Sequence, residues 1–561
     1  MHSLRERLKS ILRRVRLLSA ARKLKYWILI LTNSRFRRHQ RACRQGFLKF
    51  KREYGNTLLC KLDSNDHAPK TALVVSNGFP EGAKVELGLI KGLELAGFVP
   101  VVLTSRDRWL VKYYEVIGSA KILFLEDFAD PVNLSVDKGM VARPKSFEDL
   151  LTFEYAGARV GRIVISTALR RLRVGSLDLQ SSQISQYLAR IIGSGMTHAI
   201  AAREIIRKVR PQLSVFGDNS VYTPYGQVFD ACLAEGIDTI TWYTGHKSNT
   251  LMLKRYSLED RDEHPSSLSE ESWRWLRSIE WMESHRERLR QEVYSAYASG
   301  DWYSQVGTQF NTRMIQPEEI RRCLGLDPKK KTAIIFPHIP WDATLFWGKG
   351  VFRDYEEWLV ETVRIACTND HVNWVIKVHP ANVVKLIRDG VQEEPSELKT
   401  LRKHIAKLPP HISIIQADSD ISCYSLFSVM DYCVTVRGTV GIEAASFGIP
   451  VLTAGTGRYD RKGFTIDAES RERYLDALAH IQDLLPLSPA QRELAERFAY
   501  GVFVLRPLCL TTFTLESERD AKATGKTRIN AATREDWLNA PDLRAFGSWV
   551  NSRQIDFLMH S

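Results

Sequence analysis

Two polar side chains suited to binding an anion end an apolar run, residues 374–378, that predicts a buried strand. Lys377 and His379 occupy alternate positions, so both side chains leave the same side of that strand. Pro380 then stops the strand, because it has no N–H to donate to the ladder. This spacing predicts an ammonium and an imidazole that bind an anion together. The alternative is an exposed edge lysine beside a turn histidine.

A second stretch, residues 434–444, predicts a strand, a glycine turn and the start of a helix. Gly438 lets the backbone approach a phosphate, Thr439 can donate its hydroxyl, and a helix N-terminus favours negative charge. Arg437 adds a cation before the turn. Glu443 lies one turn into the helix, where it could accept ribose hydroxyls or only stabilise the helix dipole. Both stretches together predict a nucleotide-binding site.

Removing a proton from an attacking hydroxyl would require a carboxylate near the bound phosphate. Two candidates follow predicted strands in the N-terminal half of the chain. Glu81 lies in the turn after the first strand, and Asp218 lies in GDNS, residues 217–220, after a later one. Both are candidate catalytic bases, although either could instead cap a turn.

His246 and Trp341 are candidate contacts for a sugar or an acceptor. His246 follows a predicted strand, within the run YTGHKSN. Trp341 belongs to an aromatic cluster after residue 336, and such surfaces suit stacking on a sugar ring. The structural alternatives are a core histidine with satisfied hydrogen bonds and an aromatic residue buried between two lobes.

Neither a metal ion nor another cofactor is expected. The run DSD at 418–420 has the spacing of a two-aspartate metal motif, but it precedes a predicted helix start, where aspartate is a good N-cap. The eight cysteines form no CxxC pair, which argues against a zinc site or a disulfide framework. Phosphate stabilisation is therefore expected from Lys377, His379, Arg437 and a helix dipole.

The elements that position these residues follow a strand, turn, helix and strand pattern that occurs twice. Apolar runs at 71–76 and 99–104 flank a helical stretch at 83–96, which predicts parallel strands buried on both faces. The pattern restarts at residue 331. We predict an α/β fold with two Rossmann-like lobes facing a central cleft. The predicted divisions are an arm at 1–60, a first lobe at 68–255 with a helical insert at 146–209, a helical linker at 256–320, a second lobe at 321–485, and C-terminal helices at 486–561 that return to the first lobe.

The net charge of +14 is concentrated at the N terminus. Residues 1–53 hold 17 basic and two acidic residues, whereas the rest of the chain holds 62 basic and 63 acidic ones. Apolar residues recur between basic ones at the spacing of an amphipathic helix: Leu4, Leu8, Ile11, Val15 and Leu18. An anionic membrane surface is the expected partner. The alternatives are a helix packed on the protein and, ranked lower, RNA, because no recognisable nucleic-acid module follows.

The motifs resemble a known family. KVHP at 377–380, RGTVGIEAASFGIPVLTAG at 437–455 and GFT at 463–465 resemble the capsule polysaccharide biosynthesis proteins, which include capsule Kdo transferases and related GT-B enzymes. The resemblance is specific over residues 330–470 and looser over 70–255. Tyr459, which follows the second motif, is a further candidate contact for a sugar or an acceptor.

The resemblance implies roles for individual residues. Lys377 and His379 would contact the donor phosphate, Gly438 and Thr439 the phosphate or the nucleotide, and Glu443 the ribose. The chain has Arg-Gly-Thr at 437–439 where a pair of serines is common, so the base and the sugar of the donor stay open.

The predicted function is metal-independent transfer of a sugar from a nucleotide donor to a surface polysaccharide or a lipid-linked acceptor. The predicted location is the inner face of the bacterial cytoplasmic membrane, and no nucleic-acid partner is expected. Two alternatives keep the fold: a CDP-alcohol glycerophosphotransferase and a sugar-nucleotide epimerase. The basic arm favours transfer over epimerisation. A third alternative is a non-catalytic, membrane-bound scaffold of polysaccharide assembly.

Overall fold

The structure is a computed structural model that describes residues 30–60, 62, 70–118, 120–129, 146–304, 308, 312–390, 392–516 and 526–559. The amphipathic helix predicted between Leu4 and Leu18 lies outside these residues. Within them, no helix is both long enough and apolar enough to cross a bilayer.

Strands and helices alternate through residues 70–256, after one long helix. The strands come from apolar runs and the helices from amphipathic stretches bounded by turn residues. In chain order the elements are α1 (Ser34–Leu58), β1 (Lys70–Val75), α2 (Pro80–Leu95), β2 (Phe98–Thr104), α3 (Leu110–Glu115), β3 (Lys121–Phe124), α4 (Phe147–Thr152), α5 (Val160–Leu172), α6 (Ser182–Val209), β4 (Leu213–Phe216), α7 (Tyr225–Ala234), β5 (Asp238–Thr244) and β6 (Thr250–Tyr256).

The alternation resumes after two helices of the linker region and continues almost to the C terminus. The elements are α8 (Glu270–Ser278), α9 (Glu283–Ala298), α10 (Pro317–Leu324), β7 (Thr332–Ile335), α11 (Tyr355–Thr368), β8 (Asn373–Lys377), α12 (Ala381–Asp389), α13 (Ser396–His404), β9 (Ile412–Ile415), α14 (Cys423–Leu426), β10 (Tyr432–Thr435), α15 (Thr439–Ser446), β11 (Val451–Thr453), β12 (Ile466–Asp467), α16 (Arg471–Ala479), α17 (Pro489–Tyr500), a π-helical turn (Gly501–Leu505), β13 (Pro507–Cys509), β14 (Phe513–Glu516), β15 (Lys526–Ile529), α18 (Arg534–Asn539) and α19 (Pro541–Asn551).

The first lobe is built on a seven-stranded sheet with the order β13-β6-β5-β4-β1-β2-β3. The five strands from β5 to β3 run parallel, while β6 and β13 join by antiparallel pairing. Because the chain first moves from β1 to β2 and later returns to place β4 on the other side, the strand order reverses between β1 and β4. Val75 pairs with Phe216 at this point. The residues that follow these two strands therefore lie side by side at one edge.

The second lobe has a six-stranded sheet with the order β12-β11-β10-β7-β8-β9. All its described pairings are parallel. The strand order reverses between β7 and β10, where Ile335 pairs with Val434. Ligands in such sheets collect at the carboxyl ends of the strands beside this reversal. The glycine turn after β10 starts at this edge.

Two regions join the lobes. The insert helices α5 and α6 pack on loops of the second lobe through a shared apolar cluster that includes Ile339, Trp341 and Ala381. The linker helices α8 and α9 pack with α17 and the π-helical turn on the second lobe. The chain then crosses back, since β13 pairs with β6 and α19 packs on α2.

Helix α1 lies on the first lobe. Phe47 and Phe50 are buried, and their rings lie 5.5 Å and 5.0 Å from the ring of Tyr113. The opposite side of α1 is exposed and carries basic residues: Arg38, Arg41, Arg44, Lys49, Lys51 and Arg52. Helix α1, which belongs to the predicted arm at 1–60, is thus fixed to the rest of the protein by one face only.

The predicted α/β fold with two Rossmann-like lobes is confirmed. The strands predicted at 71–76, 99–104 and 374–378, and the one predicted at the start of 434–444, are all present. Strands β6 and β13 and the β14–β15 hairpin were not predicted. β6 contains Lys254 and Arg255, and β13 begins with Pro507, so neither has the apolar character of a central strand. A helix does return to the first lobe, as α19.

Candidate active site

A cavity of about 220 Å³ lies between the carboxyl edge of the second sheet and the end of the linker. Its lining combines polar groups with an aromatic wall, the composition expected of a site for an organic ligand. The lining residues are Tyr297, Trp302, Tyr303, Thr308, Phe336, Pro337, His338, Lys377, His379, Pro380, Cys423, Thr435, Gly438, Thr439, Val440 and Glu443.

Lys377 ends β8 and lines this cavity with an ammonium that lacks a partner. The residue is 3% exposed, and Nζ has no hydrogen-bond partner among the described residues. Burial lowers the pKa of Lys377, although Cys423 and Asp418 oppose the shift. A buried cation with no counter-charge is costly unless a ligand supplies one. The ammonium is therefore placed to receive an anion.

His379 lies two residues further, in the turn between β8 and α12. Its Nδ1 accepts a hydrogen bond from the N–H of Ala381 at 3.2 Å. Burial lowers the pKa of His379 to about 4, and the nearby charge of Lys385 acts in the same direction. The neutral ring must then carry its proton on Nε2. His379 can donate this N–H to a ligand without carrying a charge.

The glycine turn after β10 is braced from one side. Tyr459 donates its hydroxyl to the carbonyl of Gly438 at 2.9 Å, and Arg458 donates to Oγ1 of Thr439 at 2.8 Å. A Cβ at Gly441 would stand 2.2 Å from the Tyr459 hydroxyl, so only glycine permits this contact. Tyr459 supports the turn and does not line the cavity. The first turn of α15 is thereby presented to the cavity.

Arg437 points away from the cavity. Its guanidinium donates to the carbonyls of Phe346, at 3.2 Å, and Trp347, and it is 4% exposed. Its backbone N–H donates to Nε2 of His338 at 3.3 Å. Arg437 therefore holds the loop after β7 against the glycine turn, and His338, rather than Arg437, reaches the lining.

Glu443 lines the cavity, but its carboxylate is held by the linker. It accepts hydrogen bonds from the hydroxyl of Tyr297 and from Trp302. Burial raises the pKa of Glu443 to about 7, against the effect of Tyr297 and the charge of Arg458. A carboxylate can accept about four hydrogen bonds, so room remains for ligand hydroxyls.

The linker supplies site residues that sequence reasoning did not identify. Tyr303 adopts the left-handed conformation (φ 48°), which is uncommon for a bulky residue. Its hydroxyl is hydrogen-bonded to Thr439 and Arg458. The ring of Trp302 stacks on Tyr297 with centroids 4.9 Å apart. The tryptophan-rich composition of residues 256–302 was the only sign of this wall in the sequence.

Asp218 follows β4 at the reversal point of the first sheet. The residue is solvent-exposed, yet surrounding protein raises the pKa of its carboxyl, while a hydrogen bond from Asn77 and the charge of Arg170 oppose the shift. A carboxyl that reaches solvent and is nevertheless surrounded by protein lies in a crevice. Asp218 does not line the cavity of the second lobe, but its charge interacts with Asp342, which in turn interacts with His379.

Asp342 joins the lobes. Its Oδ1 accepts hydrogen bonds at 3.0 Å from Arg170 in α5 and from the hydroxyl of Tyr222 in the first lobe. Its Oδ2 accepts one from Lys385 in α12. Burial opposes ionisation, but Lys385 and Arg170 hold the pKa of Asp342 well below its usual range. This contact links the elements that carry Asp218 and His379.

Glu81, the other candidate base, is occupied elsewhere. One carboxylate oxygen accepts a hydrogen bond from Lys84 at 2.7 Å, and the other accepts the backbone N–H of Thr527 at 3.1 Å. These partners belong to α2 and to the C-terminal hairpin. The structure thus brings Asp218, and not Glu81, towards the second lobe.

His246 and Trp341 are both buried. Nε2 of His246 lies 2.7 Å from Glu292, and the ring packs on Trp302 with centroids 5.0 Å apart, so it supports the aromatic wall from behind. Trp341 lies in the apolar cluster between the insert and the second lobe, under the ammonium of Lys385. Neither lines the cavity.

Within the described part of the chain, no group of three or more metal-ligating side chains is arranged to hold a metal ion. Asp420 of the DSD run accepts a hydrogen bond from Arg313 at 2.6 Å. Besides tyrosine, threonine and cysteine side chains, the cavity lining thus has one lysine, two histidines and one carboxylate: Lys377, His338, His379 and Glu443.

No protein-family model matches the chain, and neither does any curated protein. Similar solved structures include KpsC of Thermosulfurimonas dismutans, a beta Kdo 2,4 transferase, at 13% identity over 56% of this chain and 84% of that one, with a TM-score of 0.32. A UDP-GlcNAc 2-epimerase of Neisseria meningitidis bound to UDP-GlcNAc is 12% identical over 77% of this chain and 96% of that one (TM-score 0.26). HepE of Anabaena in complex with UDP-glucose is 12% identical over 77% and 93% (TM-score 0.27). Likenesses at these identities and TM-scores do not identify a function.

Proposed function

We propose that this chain is a glycosyltransferase of the GT-B type, which transfers a sugar from a nucleotide donor to a surface polysaccharide or a lipid-linked acceptor. The observation that carries the proposal is the unpartnered ammonium of Lys377, which meets the Nε2–H of His379 and the N-terminus of α15 at one cavity. These three groups are suited to a phosphate ester. The motif resemblance supports the same assignment.

The donor would bind with its phosphate between the two strand ends. Lys377 supplies a positive charge, His379 donates from Nε2, and Thr439 offers the first backbone N–H of α15. Glu443 accepts hydrogen bonds from the hydroxyl groups of the ribose. As the bond between sugar and phosphate breaks, negative charge develops on the leaving nucleotide. Donors fixed in this position stabilise that charge without a metal ion.

Asp218 is the proposed base. It accepts the proton of the acceptor hydroxyl while the hydroxyl oxygen bonds to the anomeric carbon and the nucleotide departs with the electron pair of the broken bond. Its position at the reversal point of the first sheet, which Asp342 links to the helix after His379, supports this role. Its raised pKa increases its strength as a base, which suits proton transfer near neutral pH.

The donor site is tested by the thermal stability of the protein with CMP-, UDP-, GDP- and CDP-linked sugars. A ligand that binds only the folded state raises the melting temperature. We expect a shift with one nucleotide class in the wild type and its loss in His379→Ala and Lys377→Met. Lys399→Met is the matched control, since Lys399 forms an exposed pair with Glu393 in the same lobe. No shift with any donor, or an equal shift in all variants, would count against the site.

Product analysis separates the reaction classes. An epimerase converts the donor without an acceptor, whereas the proposed transferase needs an acceptor to form a glycosidic bond. Transfer of a phosphoalcohol from a CDP-alcohol would identify the glycerophosphotransferase alternative. A non-catalytic scaffold predicts normal cellular polysaccharide in His379→Ala and Glu443→Ala at normal protein levels. Loss of polymer in both would exclude it.

We further propose that the arm and α1 bind an anionic membrane on the cytoplasmic side. The exposed face of α1 carries Arg41, Arg44 and Arg52 beside the exposed Leu48, a mixture suited to anionic lipid. Each such cation near the surface contributes about 1 kcal/mol. The affinity for phosphatidylglycerol vesicles, measured by sedimentation, should fall on the order of 100-fold when these three arginines become glutamine. Binding that is unchanged, or equal on neutral vesicles, would reject the proposal.

A further inference from the structure

A buried hydrogen-bond network lies under the turn that follows β1. Glu86 in α2 accepts the backbone N–H of Asn77 at 2.7 Å. The hydroxyl of Tyr114 in α3 lies 2.7 Å from Oγ of Ser76 and is also hydrogen-bonded to Glu86. Glu86, Tyr114 and Ser76 are all 0% exposed. The network therefore joins α2 and α3 to a turn at the reversal point of the first sheet.

The same turn contacts the proposed base. Asn77 hydrogen-bonds through its side chain to Asp218, and Asn219 donates to the carbonyl of Ser76 at 2.8 Å. A Cβ at Gly217 would stand 2.8 Å from the amide carbon of Asn77, so the residue before Asp218 must be small to admit this side chain. The position of Asp218 thus depends on that of Asn77.

Within the described part of the chain, no cation belongs to this network. Among the described residues Glu86 forms no salt bridge, and its titratable neighbours are Tyr114, Tyr225 and Asp218. Burial raises the pKa of Glu86 to about 8, against the hydrogen bonds from Tyr114 and Asn77, and the charge of Asp218 adds to the rise. A protonated Glu86 donates its O–H to the hydroxyl oxygen of Tyr114, and Tyr114 donates its O–H to Oγ of Ser76. Each of the three groups then has a hydrogen-bond partner.

We propose that Glu86 is a positioning residue: in its neutral form it holds Asn77, and through Asn77 it holds the Asp218 carboxylate where that group takes the acceptor proton. This inference rests on the proposed function, because positioning acts only through the reaction. An ionised Glu86 would place a second negative charge near Asp218 and reverse the donation through Tyr114 and Ser76. Neutrality at this position lets Asp218 be the one ionised acid of the pair.

The test compares Glu86→Gln with Glu86→Ala. Glutamine keeps the shape and the neutral state, so kcat near pH 7 should stay within about twofold of wild type. Alanine removes the acceptor for the Asn77 N–H, and kcat should fall on the order of tenfold, part of the roughly 10²–10⁴-fold that a general base contributes. The KM for the donor should not change in either variant, since Lys377 and His379 lie in the other lobe. Glu115→Gln, at an exposed position of α3, is the control.

Two readouts distinguish positioning from a loss of folding. The kcat of the wild type should decline as the pH rises through the Glu86 pKa of about 8, and this decline should be absent in Glu86→Gln. The infrared difference spectrum between wild type and Glu86→Gln at pH 7 should show the band of a buried protonated carboxyl, because the contribution of Glu443, whose pKa is about 7, cancels in the difference. A kcat of Glu86→Ala equal to wild type, an alkaline decline kept in Glu86→Gln, or no such band each overturns the inference and leaves the transferase intact. Absence of turnover in the wild type with every donor class overturns both.

Discussion

Both lobes gather ionisable side chains close to the reversal of their strand order, yet the chemical types of these side chains differ. In the second lobe, at the end of β8 beside the β7–β10 reversal, the site has Lys377, whose ammonium has no partner among the described residues, and His379, which can donate from Nε2. At the β1–β4 reversal it has Asp218 and Glu86, both acids and both hydrogen-bonded within the lobe. The second lobe thus holds a cation that is available to a ligand, whereas the first lobe holds a carboxylate that can accept a proton.

The largest expected effect comes from removing the acceptor of the proton. Asp218→Asn should lower kcat by roughly 10²–10⁴-fold, the usual contribution of a general base. The thermal shift caused by the donor should persist, because the second lobe is unchanged. Steady-state kinetics and melting curves measure the two effects separately. Loss of donor binding in this variant as well would contradict the assignment of the base to the first lobe and of donor binding to the second.

Removal of the unpaired cation should have the next largest effect. Lys377→Met should lower kcat/KM by about 10²–10³-fold, as removal of one preorganised electrostatic group does. The ligand-free protein should at the same time become more stable, since a buried ammonium without a partner is destabilising. Steady-state kinetics measure the decrease in kcat/KM, and the melting temperature without ligand measures the increase in stability. An ammonium that already has a partner in solution would make the variant less stable instead.

The contact between the lobes should matter less. Asp342→Asn leaves Arg170 and Lys385 without their carboxylate, so the relative placement of the two sites should loosen. We expect kcat/KM to fall by about tenfold, equal to 1.4 kcal/mol. Asp420→Asn is the control, because its pair with Arg313 is exposed and such pairs contribute little. Equal kinetics in both variants would show that the sites act without this contact.

The remaining effect concerns the pH dependence of stability and not the rate of the reaction. The pKa of Glu443 is raised in the folded protein to about 7, so its contribution to folding is complete below the unfolded value of 4.5 and is lost as the pH rises through 7. Glu443→Gln should remove up to about 3 kcal/mol of this pH dependence. Urea unfolding at pH 5 and pH 8 measures it. If the difference in the free energy of unfolding between pH 5 and pH 8 is the same in Glu443→Gln and in the wild type, Glu443 is ionised in the folded protein.

The cation site was accessible from the sequence because its parts are close in the chain. Lys377 and His379 occupy one strand end, and Thr439 and Glu443 one helix start, so local rules of strands and helices were sufficient. The fold followed from the same periodic patterns. Neither required knowledge of distant contacts.

The remaining parts depended on distant partners. Arg437 turns away because the carbonyls of Phe346 and Trp347 are available to it, and no local pattern reveals such acceptors. Trp302 and Tyr297 reach Glu443 from about 140 residues away. Glu86 did leave a signal, since it lies at helical spacing on the apolar face of α2, but a buried acid can be recognised only once the face is known to be buried.

The crossing of the C-terminal chain also affects how the protein is made. The first sheet lacks β13 until residue 509 has emerged, and one face of α2 stays uncovered until α19 follows. During synthesis, residues 332–467 can complete the second sheet while the first lobe still exposes an unpaired strand edge and an apolar helix face. The N-terminal lobe therefore matures last, and a ribosome that stops short of residue 550 releases a protein with a finished C-terminal sheet and an aggregation-prone N-terminal one.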